Sequence, residues 1–193
     1  MNSATGIVLA GGKARRMGAD KALVPFRGEP MLRHVVNAIG ATGLEVLIVG
    51  REGPFEGHRA IPDIADAGYG PAAGLLTALS RHDVRDVFLV AVDQPLLRPA
   101  TISGLLATPG DAVVPIANGH PQVTCAVYRA PCLEPLRSYI AGGGSKLRRL
   151  LDLVATTRVE EHTWSKWGEG GGSWLSLDTL QAVEEAEALR CEP

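Results

Sequence analysis

An α/β fold on a mostly parallel sheet with flanking helices is what this sequence predicts, and three features carry that expectation. Short apolar or β-branched runs alternate with helical patterns through the first half, the signature of βαβ units. Gly6 to Ala10 (GIVLA) is apolar throughout and runs into glycines, as a strand buried on both faces does. The 193 residues also suit one hydrophobic core, which can grow to roughly 200 residues or more before a chain splits. The chain shows no internal repeat and no dividing linker. The expectation is a single Rossmann-like domain over 1–193, with a short antiparallel part in its second half.

The elements follow in order. Pro30 suits the first turn of a helix, and Met31, Val35, Val36 and Ile39 then recur at helical spacing. Glu45 to Val49 reads as the next strand. Pro71 opens another helix, with Leu75, Leu76 and Leu79 on one side. Asp86 to Val92 (DVFLVAV) is the clearest central strand, and a helix from Pro99 to Leu106 follows it. Ala112 to Ile116 and Val123 to Tyr128 read as strands that pair as an antiparallel flap over an otherwise parallel sheet. Helical patterns return at Cys132 to Ile140, at Lys146 to Leu153, and at the Glu-rich Thr179 to Leu189. Gly142 to Gly144 and Gly170 to Gly172 read as loops.

Composition narrows the function. A net charge of −2 argues against a protein that coats nucleic acid through a general basic field. The apolar run Val87 to Val92 is far short of the roughly 20 residues of a membrane helix, and Met1 to Gly12 has no basic region followed by a long apolar stretch, so a secretory signal is not expected. Neither nucleic acid nor membrane is expected as a partner, and the cytoplasm is the expected compartment. Cys125, Cys132 and Cys191 form no C-x-x-C pair, which gives no zinc signature and reads as core or surface thiols. The five histidines show no ligand spacing.

Leu9 to Lys21 (LAGGKARRMGADK) carries the chemistry. A buried strand meets two glycines, and Lys13, Arg15, Arg16 and Lys21 then appear within nine positions. Glycines let successive N–H groups converge on phosphate oxygens, and the cations beside them neutralise those oxygens. The segment also sits at the carboxyl end of the first strand, where open α/β sheets bind ligands. Its spacing rules out a Walker A loop and the dinucleotide G-x-G-x-x-G. Asp93 follows the strand Asp86 to Val92 and faces the same crevice; it either ligates Mg²⁺ as a hard oxygen donor or starts the turn before Pro95.

As it stands, the segment resembles the signature loop of the molybdenum cofactor nucleotidyltransferases, roughly L-A-G-G-x-S-x-R-M-G-x-D-K. Leu9, Ala10, Gly11, Gly12, Arg16, Met17, Gly18, Asp20 and Lys21 match, while Ala14 stands in place of Ser. The resemblance implies that Leu9, Ala10, Gly11 and Gly12 hold base and phosphates and that Arg16 and Lys21 hold the triphosphate. Asp93 matches the family's metal-binding Asp in a D-x-P context. Asp63 and the stretch from Gly70 through Pro71 to Gly74 (GPAAG) match the Asp and G-P-L-A-G that border a guanine pocket, with Asp66 a nearby competitor. Without the family, Asp63 is a loop residue and GPAAG a helix start with free N–H groups.

Ser176 to Leu180 departs from the family's N-x-N-T-P. Asp178 is there either a second Mg²⁺ ligand or an N-cap, with Gln181 three residues on. The resemblance also implies that the second half binds the acceptor, through His120, Lys146 and Arg148. Arg148 and Arg149 read equally as the wet face of a helix.

What the resemblance to the MobA-like nucleoside-triphosphate transferases implies is a Mg²⁺-dependent guanylyltransferase. The nucleotide would bind in about 1–95 and the acceptor in about 96–193. GTP and molybdopterin, or its molybdenum form, are the implied substrates, with cofactor-receiving enzymes or chaperones as further partners. Cytidine-specific relatives tend to carry Ala at the position of Gly11. The alternatives are a cytidylyltransferase, a transferase with a sugar phosphate acceptor, and a non-catalytic nucleotide-binding module.

Overall fold

The computed structural model describes residues 4–11, 20–63, 70–81 and 83–188. Strand β1 (Ala4–Leu9) lies at the middle of the main sheet. The short strands β2 (Pro25–Phe26) and β3 (Glu29–Pro30) form a separate hairpin that leads into α1 (Met31–Gly40), with Pro30 just outside the helix. Next come β4 (Glu45–Val49), β5 (Arg59–Ile61), α2 (Gly70–Leu79) and β6 (Asp86–Ala91). The second half adds α3 (Pro99–Ala107), β7 (Ala112–Ala117), β8 (His120–Pro121), β9 (Cys125–Tyr128) and α4 (Leu133–Ala141). It ends with β10 (Thr156–Val159), α5 (Glu161–Trp164) and α6 (Leu180–Ala188).

The sheet order is β10-β7-β9-β6-β1-β4-β5, with β8 on β7. β1 pairs in parallel with β4 and with β6, so Ile7 stands beside Leu47 on one side and Leu89 on the other. The chain runs outward from β1 through β4 to β5, then returns to the opposite side of β1 as β6. That reversal leaves a crevice at the carboxyl ends of β1 and β6, where doubly wound sheets take their ligands.

Alternate residues of each strand feed two cores, as the two-residue period of a strand requires. Val8, Ile48, Phe88, Val90, Val113 and Val127 pack under α1, α3 and α5. Ile7, Leu47, Leu89, Val114 and Tyr128 pack under α2, α4 and the 3₁₀ turn Leu147–Asp152. A smaller core joins Val24, Phe26 and Met31 of the hairpin region to Leu177, Val183 and Ala186 of the C-terminal segment.

Two expectations change. β9 does pair antiparallel with β7, but its other edge pairs antiparallel with β6, with Phe88 opposite Val127. It is a strand of the sheet, not a flap over it. The reason is its composition: all four residues, Cys125 to Tyr128, are buried, which a flap with one wet face does not allow. The stretch after Lys146 forms a 3₁₀ turn in place of an α-helix, and its buried Leu147 and Leu150 follow the three-residue repeat of that geometry. Cys125 and Cys132 are buried free thiols, and burial pushes both well above the ordinary thiol range. Cys191 lies outside the described residues. No described helix is long and apolar enough to cross a membrane.

Candidate active site

The crevice is built from backbone first. Ala10 N–H donates to the carbonyl of Val49 at 2.9 Å, and Val92 N–H donates to the carbonyl of Leu9 at 3.1 Å. The end of β1 is thereby clamped between its neighbours. Gly11 then lies on Gly50: a Cβ on Gly11 would stand 3.0 Å from Gly50 Cα, and one on Gly50 would stand 2.5 Å from Gly11 Cα. Gly50 also holds a φ of +88°, so glycine is required there twice over. Gly12 and Arg16 of the expected site lie outside the described residues, as do Lys13, Arg15 and Asp66.

The chain returns at Asp20. One carboxylate oxygen of Asp20 accepts from Ala22 N–H at 3.1 Å and caps the 3₁₀ turn Lys21–Leu23. The other pairs with the Arg51 guanidinium. Gly50 and Arg51, at the end of β4, thus grip both Gly11 and Asp20. Arg51 and Gly50 were not singled out from the sequence, although a glycine straight after a strand was the available signal.

Lys21 Nζ donates to Asp93 Oδ2 at 2.6 Å, with side-chain exposures of 22% and 16%. Asp93 sits two residues beyond β6 and is met from the C-terminal side as well. The Ser176 hydroxyl donates to the same Oδ2 at 2.9 Å, and Leu177 N–H donates to the Asp93 carbonyl at 2.8 Å. Asp178 is the next residue. The Thr179 hydroxyl accepts from Ala182 N–H at 3.1 Å at the start of α6, which begins at Leu180, one residue later than the sequence suggested. No group of three or more His, Cys, Asp or Glu among the described residues is placed to hold a metal ion.

Asp63 faces the other side of the same glycines. A Cβ on Gly11 would stand 3.1 Å from Asp63 Oδ2, and one on Gly74 would stand 3.6 Å from Oδ1. That Oδ1 is buried and has no hydrogen-bond partner among the described residues. Burial also raises the pKa of this carboxyl above its ordinary value. Gly74 of α2 packs so closely on Leu9 that a Cβ there would meet Leu9 Cδ2 at 2.3 Å, which brings the Pro71 end of the helix to the crevice. An unpaired buried carboxylate oxygen is costly unless a ligand supplies a donor.

Further along the same edge of the sheet, at the carboxyl ends of β7 and β10, a cavity of about 620 Å³ opens. Gly119, Pro121, Arg148, Arg149, Arg158 and Glu160 contribute to its wall. His120 is exposed and lies between two of those residues, while Lys146 is exposed and precedes the turn that carries Arg148. Arg149 is held by Asp152 at 3.1 Å. Arg158 was missed by sequence reading, since β10 itself gave no clear strand signal.

The model of the MobA-like NTP transferase domain matches residues 6–161. The chain belongs to that family. It is therefore a nucleotidyltransferase. A Bacillus licheniformis protein named "Probable molybdenum cofactor guanylyltransferase" is 33% identical over 164 residues, covering 80% of this chain and 83% of its own length. One of the same name from Pelotomaculum thermopropionicum is 32% identical, covering 98% and 94%. Among solved structures, molybdopterin-guanine dinucleotide biosynthesis protein A from Archaeoglobus fulgidus superposes with a TM-score of 0.82 at 22% identity, covering 96% of this chain and 98% of that one. The 2-C-methyl-D-erythritol 4-phosphate cytidylyltransferase of Thermus thermophilus shares the fold too, with a TM-score of 0.71 at 18% identity over 96% and 97%.

Proposed function

We propose that this nucleotidyltransferase moves GMP from GTP to molybdopterin, or its molybdenum form, and releases pyrophosphate. The observation that carries the reading is Asp63. An ionised carboxylate only accepts hydrogen bonds, and the guanine edge offers donors at N1 and N2 to meet it. The missing side chains of Gly11 and Gly50 let the two backbones cross closely, and this crossing sets the Asp63 carboxylate against the floor of the crevice. The names of the relatives at 32–33% identity favour the same base and acceptor.

In the reaction, an oxygen of the acceptor's terminal phosphate forms a bond to the α-phosphorus, and the bond to the β-phosphate oxygen breaks opposite. No covalent enzyme intermediate is needed. Lys21 and Arg16, with Leu9 to Gly12 beneath the phosphates, take up the charge that grows on the departing pyrophosphate. Asp93 fits a Mg²⁺ ion, because such ions are held by one or two carboxylates plus substrate phosphates and no larger acidic cluster is required. Bound there, Mg²⁺ would neutralise phosphate charge. Asp178, one residue past the Leu177 contact, is the candidate for a second carboxylate. His120, Lys146 and Arg148 would receive the acceptor beside the large cavity, which places nucleotide and acceptor in successive halves of the chain. The cytoplasm is the compartment this reading calls for.

Pyrophosphate release is the test. It is expected only with GTP, Mg²⁺ and molybdopterin together. GTP that binds without any release under those conditions would leave a binding module and remove the enzyme reading.

A further inference from the structure

The run Gly168 to Ser173 (GEGGGS) reads in sequence as a flexible connector, yet it is wrapped around a buried acid. Glu169 is 4% exposed. Its Oε1 accepts from Gly171 N–H at 2.8 Å and from Ser173 N–H at 3.4 Å. Its Oε2 accepts from the hydroxyls of Thr101 and Ser173. Gly168 and Gly171, at φ of +74° and +96°, give the loop the turn that points its N–H groups inward. Burial raises the pKa of this acid, but the donors outweigh burial and hold it below the ordinary Glu value.

From this acid the chain runs antiparallel to the segment that begins at Asp93. Arg98 N–H donates to the Ser173 hydroxyl at 3.0 Å, and the Arg98 guanidinium donates to the Gly168 carbonyl. Three and four residues on from Ser173, Ser176 and Leu177 meet Asp93. The far end is fixed by Glu169 and Thr101 at the first turn of α3, and the near end delivers a hydroxyl and an N–H to the site. Between them, buried Trp174 packs edge-on against Trp164, with ring centroids 5.0 Å apart.

We propose that Glu169 is a positioning residue for nucleotidyl transfer, the buried anchor of the ribbon that lays Ser176 and Leu177 against Asp93. This rests on the reading of Asp93 as the carboxylate that serves the triphosphate. Removing the acid leaves two N–H groups without their acceptor and frees the loop to relax. Gln offers one oxygen for those N–H groups, and its amide can donate to hydroxyls that turn to accept. Glu169→Gln is therefore the rescuing variant and Glu169→Ala the disruptive one.

The experiment is hydrogen exchange resolved at single amides in the substrate-free protein, with steady-state kinetics beside it. In Glu169→Ala, Leu177 N–H is expected to exchange about tenfold faster while Val127 N–H, in the middle of the sheet, keeps its rate. Turnover is expected to fall by about tenfold with little change in KM for GTP, and Glu169→Gln to restore most of it. Ser176→Ala is expected to do much less in the Glu169→Ala background than alone, because both act through one contact. Unchanged exchange at Leu177 and unchanged kcat, with only a lower melting temperature, would overturn the proposal. So would full additivity of the two substitutions. Faster exchange at Leu177 in a protein whose Asp93→Asn variant turns over normally would keep the anchor and sink the assignment of Asp93.

Discussion

Asp93 gathers the contacts that matter most at the residue scale. Its carboxylate ends a buried strand and is shared by Lys21 and Ser176, which fixes its direction before any substrate arrives. Asp93→Asn keeps the shape but loses the charge, so the fold should survive while turnover falls by about 10²- to 10³-fold, the scale of a lost electrostatic contact in transfer chemistry. Unaltered kcat at limiting Mg²⁺ would contradict this. Lys21→Ala is expected to weaken GTP by roughly 10- to 100-fold and guanosine hardly at all, as calorimetry with both ligands would show. Equal losses would assign Lys21 to structure or to the base. These two residues were legible in the sequence because each stands in a local context, a strand end or a glycine-rich turn. Ser176 was not legible as a partner of Asp93. That contact joins positions 83 residues apart through a ribbon with no periodic signal.

Among the elements, what was legible follows burial. β1, β4 and β6 were readable because central strands of a parallel sheet are continuous apolar runs. The edge strands β5 (RAI) and β10 (TTRV) were not, being short and partly exposed, as edge strands are kept. β9 was seen as a strand but misplaced, since pairing partners are a property of the whole sheet. The close crossing of Gly11 and Gly50 also lives at this scale. Gly50→Ala would force a Cβ to 2.5 Å from Gly11 Cα at a positive φ, and is expected to cost about 1–3 kcal/mol and to impair GTP binding. Denaturant melts with and without GTP would check both parts; a variant with wild-type stability would mean the two segments can separate freely.

Across the whole molecule, two acids, buried Glu169 and half-buried Asp63, pull stability in opposite directions. Glu169 has a folded pKa below its unfolded value, so it contributes stability above the ordinary Glu pKa of 4.5, and that contribution is lost as pH falls through the folded value. Asp63 has a folded pKa above its unfolded value of 3.8, so its favourable state is the protonated one, and stability is lost as pH rises through the folded pKa. Asp63→Asn is accordingly expected to raise the melting temperature of the substrate-free protein at pH 7 while weakening GTP. A lower melting temperature would show that the carboxylate is satisfied without a ligand. Such a trade of stability for binding is common where a site must keep an unpaired group ready.

On the function proposed here, guanine is selected in the crevice through Asp63 and the glycines around it. A site whose polar groups match one base leaves them unpaired against another, which discriminates on the order of 10⁴-fold, whereas size alone gives about 10- to 200-fold. The direct measurement is competition between GTP and CTP at equal concentration, read as the nucleotide joined to molybdopterin. Guanylyl product is expected to dominate by at least about a hundredfold. Cytidylyl product equal to or above guanylyl product would contradict the assignment of the base, even with the transferase fold and the Asp93 site intact.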